Sequence, residues 1–289
     1  MADNYYDNKT LKKLQKIELN ILKDFDKICE ENNLDYFLCG GSLIGVVRHK
    51  GFIPWDDDID VGMNRKDYDK FLEIAAKKYS VKYTIVNNDH NKYFPLMNTR
   101  WGLNGTEYKT EDLKDIPGEF GIFLDIFCFD NIPDDEKLMR KQGTKAWFYG
   151  KLLVLSGVKK PVLYQDGIKA KILKAIFFIS HYILKIFHLT SRHFYKKALK
   201  YALQYQDEET KRFAYMFDPE RFTSIEEKSM IYPTKRMLFE GIKVKVPHNT
   251  DAYLKRRYGD YMTLPPEDKR HNHPPYSLKF KKAEKKNGK

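Results

Sequence analysis

The chain has 289 residues, and its 52 Lys and Arg outnumber its 40 Asp and Glu, leaving a net charge of +12. Hydrophobic residues make up 42% and aromatic residues 15% of it, enough apolar bulk to fill a core, which excludes a mostly disordered chain. Three cysteines, Cys29, Cys39 and Cys128, lack C-x-x-C spacing and argue against both a disulfide scaffold and a cysteine zinc site. The polar opening MADNYYDNKT has no apolar secretory run, so a cytoplasmic protein is expected.

Apolar residues recur at helical spacing from Leu11 to Cys29, with Thr10 as N-cap and Asn32-Asn33 as stop. Leu34 to Cys39 reads as a short strand, Gly40-Gly41-Ser42 as a glycine turn, and Leu43 to His49 as a two-turn helix that Gly51 to Pro54 breaks. Ile59, Val61 and Met63 alternate as a strand does, and Arg65 to Lys78 is an amphipathic helix. Val81 to Val86 alternates again, Phe94 to Trp101 is extended, and Asn104 to Gly118 is a polar loop. Gly121 to Phe127 is an apolar strand with one carboxylate, Asp125, and a helix follows from Pro133-Asp134-Asp135 to about Ser156. From about residue 160 the chain reads as mainly helical up to Asp207, with short elements after it. The expected fold is α+β, a mixed sheet flanked by helices with a mainly helical second half. The expected organisation is a catalytic core over 1–156, a helical region over 157–278 and a basic tail over 279–289.

Residues 168–189 pair a lysine-punctuated side with Ile172, Ile176, Phe177, Ile179, Ile183 and Ile186. The run is too short and too charged to span a membrane, which takes about 20 apolar residues. It fits two settings: a core helix with a basic outer face, or a helix lying in a membrane interface.

Residues two apart on a strand share a face, so Asp58 and Asp60 project together with Cα atoms about 7 Å apart at ~3.3 Å rise per residue. Carboxylates held so close repel unless a cation lies between them, and hard oxygen donors suit Mg²⁺, or Mn²⁺ in its place. Asp125 on its apolar strand is costly without a partner. If its strand adjoins the first, Asp58, Asp60 and Asp125 form one metal site. Asp57 points off that face, and Asp56 leads into the strand. Gly40, Gly41 and Ser42 offer backbone N–H groups and a hydroxyl to a phosphate, with Arg48 and His49 close behind. Trp55 has two readings, stacking on a ligand or packing under the Pro54 turn. His271 and His273 share H-x-H spacing but lack a third ligand.

In this order, Gly-Gly-Ser, Asp-x-Asp and a strand-borne Asp resemble the polymerase-β-like nucleotidyltransferase fold. Residues 34–71, LDYFLCGGSLIGVVRHKGFIPWDDDIDVGMNRKDYDKF, resemble the LicD family more closely. The resemblance continues in GIFLDIFCFD (Gly121–Asp130) and YGDYMTLPPEDKR (Tyr258–Arg270). It implies transfer of a phosphorylated alcohol, phosphocholine first, from a CDP-activated donor to a surface glycan or its lipid-linked precursor, such as teichoic acid or lipopolysaccharide. CMP leaves. CDP-choline is the best-known donor, and fukutin-related relatives use CDP-ribitol. On this resemblance Asp58, Asp60 and Asp125 are the catalytic and metal-binding residues, Asp125 either completing the metal site or accepting the acceptor's proton. Gly40, Gly41, Ser42, Arg48, His49, Trp55 and Arg270 would bind substrate, and the C-terminal motif would brace the site. Cys128 stands where members commonly carry Pro, and the cysteine-rich zinc insertion of animal relatives is absent from the sequence, so no structural zinc is expected. Peripheral contact with the inner face of the membrane through 168–189 goes with a lipid-linked acceptor. The rival activity is nucleotidyl transfer to a small molecule with release of pyrophosphate, and a second rival is a non-enzymatic membrane partner. Nucleic acid is not an expected partner, because no aromatic-basic RNA-binding pattern occurs and the acidic cluster opposes a phosphate backbone.

Overall fold

The computed structural model describes residues 6–159, 168–187, 189–267, 270, 272 and 275–281. His271 and His273, with the end of the basic tail, lie outside the described residues.

Helix α1 (Asn8–Glu31) buries the stripe Leu11, Leu14, Ile21, Leu22, Phe25 and Ile28. Its N-cap is Asp7, whose carboxylate accepts from Thr10 N at 2.9 Å, so the helix starts one turn earlier than expected. The expected stop holds: Asn32 is the C-cap and Asn33 adopts φ 52°. Strand β1 (Phe37–Leu38) leads directly into helix α2 (Gly40–His49), so the Gly-Gly-Ser segment is the first turn of the helix rather than a turn before it. Strand β2 (Asp60–Asn64) and helix α3 (Arg65–Lys78) follow. Strands β3 (Tyr83–Val86), β4 (Thr99–Leu103), β5 (Glu107–Lys109) and β6 (Phe123–Ile132) lead to α4 (Glu136–Gly157), α5 (Ile168–Ile186) and α6 (Ser191–Ala202). The rest is β7 (Arg212–Tyr215), β8 (Ser224–Glu227), α7 (Lys228–Ile231), a β9 (Lys235–Phe239)–β10 (Ile242–Val246) hairpin, α8 (Thr250–Tyr258) and β11 (Ser277–Lys279).

The main sheet runs β1-β2-β6-β4-β3, with β7 on the far end of β6 and β8 beyond it. Only β2 and β6 among its neighbours pair in parallel, so the sheet is mixed, as expected of an α+β chain. Their register sets Asp60 opposite Asp125. Trp101 of β4 anchors the core beneath, stacked on Tyr83 at 3.8 Å and edge-on to Phe71 at 5.4 Å. Burying side chains of this size contributes about 1.5–3 kcal/mol each. Arg65 at the start of α3 forks onto Asp130 near the end of β6, at 2.8 and 3.1 Å, tying the helix to the strand that carries Asp125.

Two expectations are corrected. The loop over 104–118 contains β5, which pairs with β11 near the chain's end. The mainly helical reading of the second half holds through Ala202; beyond it β7 and β8 extend the main sheet, Asp130 facing Ala214. Of the two settings open to 168–189, the described residues leave most of the apolar face of α5 uncovered. Ile176 (51%), Ile179 (57%), Ile183 (47%) and Ile186 (73%) are exposed, while His181 is buried, its Nδ1 2.9 Å from Leu155 O on α4. Among the described residues no helix is long and apolar enough to cross a membrane.

Candidate active site

No side chain caps α2, so the N–H groups of its first turn are left to other acceptors. Gly40 sits at φ 58°, and a Cβ there would lie 2.6 Å from Asp60 Oδ2; at Gly41 it would lie 2.9 Å from Asp56 Oδ2. Both glycines therefore let carboxylates close onto the helix end. Ser42, expected on a phosphate, is buried, and its Oγ accepts from Asp60 N at 2.9 Å, while Cys39 N donates to Asp60 O at 3.1 Å. Its place is behind Asp60, holding the start of β2. Gly40→Ala should fold but lose activity about 10²-fold, the cost of shifting a catalytic group by an ångström; turnover beside a thermal melt checks this.

Asp125 stands across the parallel pair from Asp60, its N donating to Ile59 O at 3.0 Å. Asn98 Nδ2 donates to its Oδ1 at 2.6 Å, and Arg100 Nε lies 3.4 Å from the same oxygen. Burial raises the Asp125 carboxyl, opposed by Arg100 and Asn98. The Asp60 carboxyl is pushed well above the ordinary range by burial and then by Asp58, Asp125 and Asp56, with Arg257 pulling the other way. Asp58 lies in the lead-in to β2 rather than on the strand, yet it exerts the largest of these charge effects. Buried Glu18 of α1 is raised for the same reasons, by burial and by Asp58, Asp57, Asp56 and Asp60. Asp57 is turned away as expected, its Oδ2 3.4 Å from Tyr108 OH.

This concentration of negative charge fits a divalent cation, and the donors are hard oxygens. Among the described residues, however, no group of three or more His, Cys, Asp or Glu is gathered closely enough to hold one alone. The expected three-carboxylate set is thus not preassembled. Asp60 with one neighbouring carboxylate suits Mg²⁺, which takes one or two carboxylates together with water and substrate phosphates.

Beyond the carboxylates lies a basic wall. Arg48 Nη1 donates to Tyr261 O at 3.0 Å, so the C-terminal motif braces α2 as expected. Arg48 Nε donates to His49 Nε2 at 2.9 Å, leaving that imidazole as an acceptor; burial, then Arg48, lowers its pKa. Burial and the nearby Arg270 depress the Arg48 guanidinium, while Asp56 raises it. Arg270 lies 5.2 Å over the Trp55 ring with its Nε on Pro265 O, so Trp55 carries an arginine.

Sequence reasoning missed Glu18, Asn98, Arg100 and Arg257. Glu18 was visible as an acid inside the apolar stripe of α1, and Arg100 as a cation within an apolar strand.

Comparison with known proteins gives the family. Residues 33–149 match the family described as LicD/FKTN/FKRP, nucleotidyltransferase domain. Over 277 residues the chain is 30% identical to the lipopolysaccharide cholinephosphotransferase LicD of Haemophilus influenzae, covering 91% of this chain and 96% of that protein. The chain belongs to the LicD family. A shorter stretch of 40 residues, 14% of this chain and 8% of the relative, is 45% identical to the ribitol 5-phosphate transferase FKRP of Homo sapiens. The two named LicD-family relatives are both transferases of phosphorylated alcohols.

Proposed function

We propose that this LicD-family chain moves a phosphorylated alcohol, phosphocholine first, from a CDP-activated donor to a hydroxyl of a lipopolysaccharide-type glycan or its lipid-linked precursor. The phosphoanhydride bond of the donor breaks, a phosphodiester to the glycan forms, and CMP leaves. The observation that carries this reading is the pairing of Asp60 with Asp125 beside the uncapped start of α2. The strand, Gly-Gly-Ser helix and Asp-bearing strands in that order also support a polymerase-β-like nucleotidyltransferase core.

In this reading the N–H groups of Gly40 and Gly41, with Arg48 and Arg270, grip the donor diphosphate. Ser42, His49 and Trp55 position Asp60, Arg48 and Arg270 in turn. Asp60 and Asp58 would hold Mg²⁺, which supplies charge neutralisation at the diphosphate when bound. Asp125, oriented by Asn98 and Arg100 and raised by burial, accepts the proton of the attacking hydroxyl. Calorimetric titration of CDP-choline and CDP-ribitol, with and without Mg²⁺, tests the assignment. Metal-dependent binding of one donor, lost in Asp60→Asn, is the expected result; binding of CTP or ATP but of neither CDP compound would turn the reading to nucleotidyl transfer.

The exposed isoleucines of α5 support a peripheral contact with the inner membrane face, where a lipid-linked acceptor resides. Each isoleucine buried in lipid contributes about 1.5–3 kcal/mol. The double variant Ile179→Ser, Ile186→Ser should therefore float with anionic vesicles at least tenfold less than the wild type. Equal flotation of both proteins would remove α5 from the contact.

A further inference from the structure

The face of β6 that carries Asp125 continues with Phe127 and Phe129, opposite Gly62 and Asn64 of β2. A Cβ at Gly62 would lie 2.4 Å from Phe37 Cζ and 2.9 Å from Phe129 Cε2, so glycine there leaves the space that both rings fill. Tyr215, at the end of β7, stands edge-on to Phe127 at 5.0 Å, and Tyr253 of α8 stands edge-on to Phe37 at 6.4 Å. Phe127, Phe129, Tyr215 and Tyr253, with Asp60 and Asp218, line a cavity of ≈ 90 Å³ beside the carboxylates. One water needs about 10–15 Å³, so the cavity admits a group of several heavy atoms.

We propose that this cavity receives the trimethylammonium head of phosphocholine, which makes Phe127, Tyr215 and Asp218 residues that select choline over a polyol. The proposal rests on the CDP-alcohol transferase reading and gives that site its specificity. A quaternary ammonium has no N–H to donate and spreads its charge over methyl groups, so aromatic walls with a carboxylate recognise it. Phe129, Tyr215 and Tyr253 are 3%, 9% and 1% exposed, so the walls are desolvated, where cation–π attraction is strongest. A neutral polyol in the same place gains no cation–π attraction from these aromatic walls. Asp218 is held for the task, accepting from Thr223 Oγ1 at 2.6 Å and from Ser224. Arg257 also lines the cavity, but its charge is answered by Asp218 at 3.6 Å. It shares the cavity lining with Asp60, whose carboxyl it pulls back down.

The test is kcat/KM for CMP release from CDP-choline and from CDP-glycerol, in wild type, Phe127→Leu, Tyr215→Leu and Tyr215→Phe. A cooperative thermal melt reports the fold of each. The wild type should favour CDP-choline, the two leucine variants should lose about tenfold of that ratio, and Tyr215→Phe should keep it. If a leucine variant does not melt cooperatively, inhibition of the wild type decides: free choline should compete with CDP-choline at far lower concentration than glycerol does. A wild type indifferent to the alcohol, leucine variants with an unchanged ratio, or choline no better than glycerol would each overturn the pocket while the transferase stands. A wild type that releases CMP from neither donor but pyrophosphate from a nucleoside triphosphate would overturn both.

Discussion

Asp60→Asn should lower turnover about 10³-fold, the several kcal/mol that a metal-held phosphate loses with its ligand, while the chain still folds. The same change should raise the melting temperature of the metal-free protein, because Asp58, Asp125 and Asp56 all press on this carboxyl. In the wild type, Mg²⁺ at a hundred times its Kd should add about 2.7 kcal/mol, a shift of roughly 5 °C, and in the variant almost nothing. The pH dependence has a definite sign. A carboxyl whose folded pKa lies above its unfolded value of 3.8 binds more protons folded than unfolded between the two. Stability without metal therefore falls as pH rises through that window, and Mg²⁺ offsets the fall. Near-normal turnover of Asp60→Asn at saturating Mg²⁺ would remove this residue from the metal site.

Asp130→Ala should cost about 3–5 kcal/mol of stability, because it strips the buried partner from an arginine only 14% exposed and leaves it only the exposed Asp69 among its ion pairs. Asp130 itself is 1% exposed and accepts both arms of the Arg65 fork. A thermal melt should fall by roughly 6–9 °C. The effect should reach the site as well, since this ion pair pins α3 to the strand that presents Asp125. An unchanged melting temperature would mean that Asp69, already 3.3 Å from Arg65 Nη1, suffices as its partner.

What the sequence disclosed depended on the range of the interaction. Helices α1 and α3 were legible because an apolar stripe, a cap and a stop lie within one continuous run, and α3 has the bounds that its period predicts. Asp60 and Asp125 stood out because carboxylates in apolar strands demand a reason. Strands β5 and β7 were not legible, since their partners lie about 170 and 80 residues away and their own segments carry no strong alternation. The outward face of α5 was undetermined for another reason: periodicity shows that a helix has two faces, not which one the chain covers. Trp55 and Ser42 were recognised as belonging to the site but given contact roles. Their bonds to Arg270 and to the Asp60 backbone are long-range or buried geometry that residue type alone does not carry.

The central claim is the identity of the bond broken, and product analysis of one reaction tests it most directly. Wild type and Asp60→Asn would be incubated with CDP-choline, CTP, ATP, Mg²⁺ and lipopolysaccharide, and the phosphorus products followed by ³¹P NMR. CMP appearing together with a new glycan phosphodiester, in the wild type alone, is the predicted result. Pyrophosphate from CTP or ATP, with CDP-choline left intact, would contradict it.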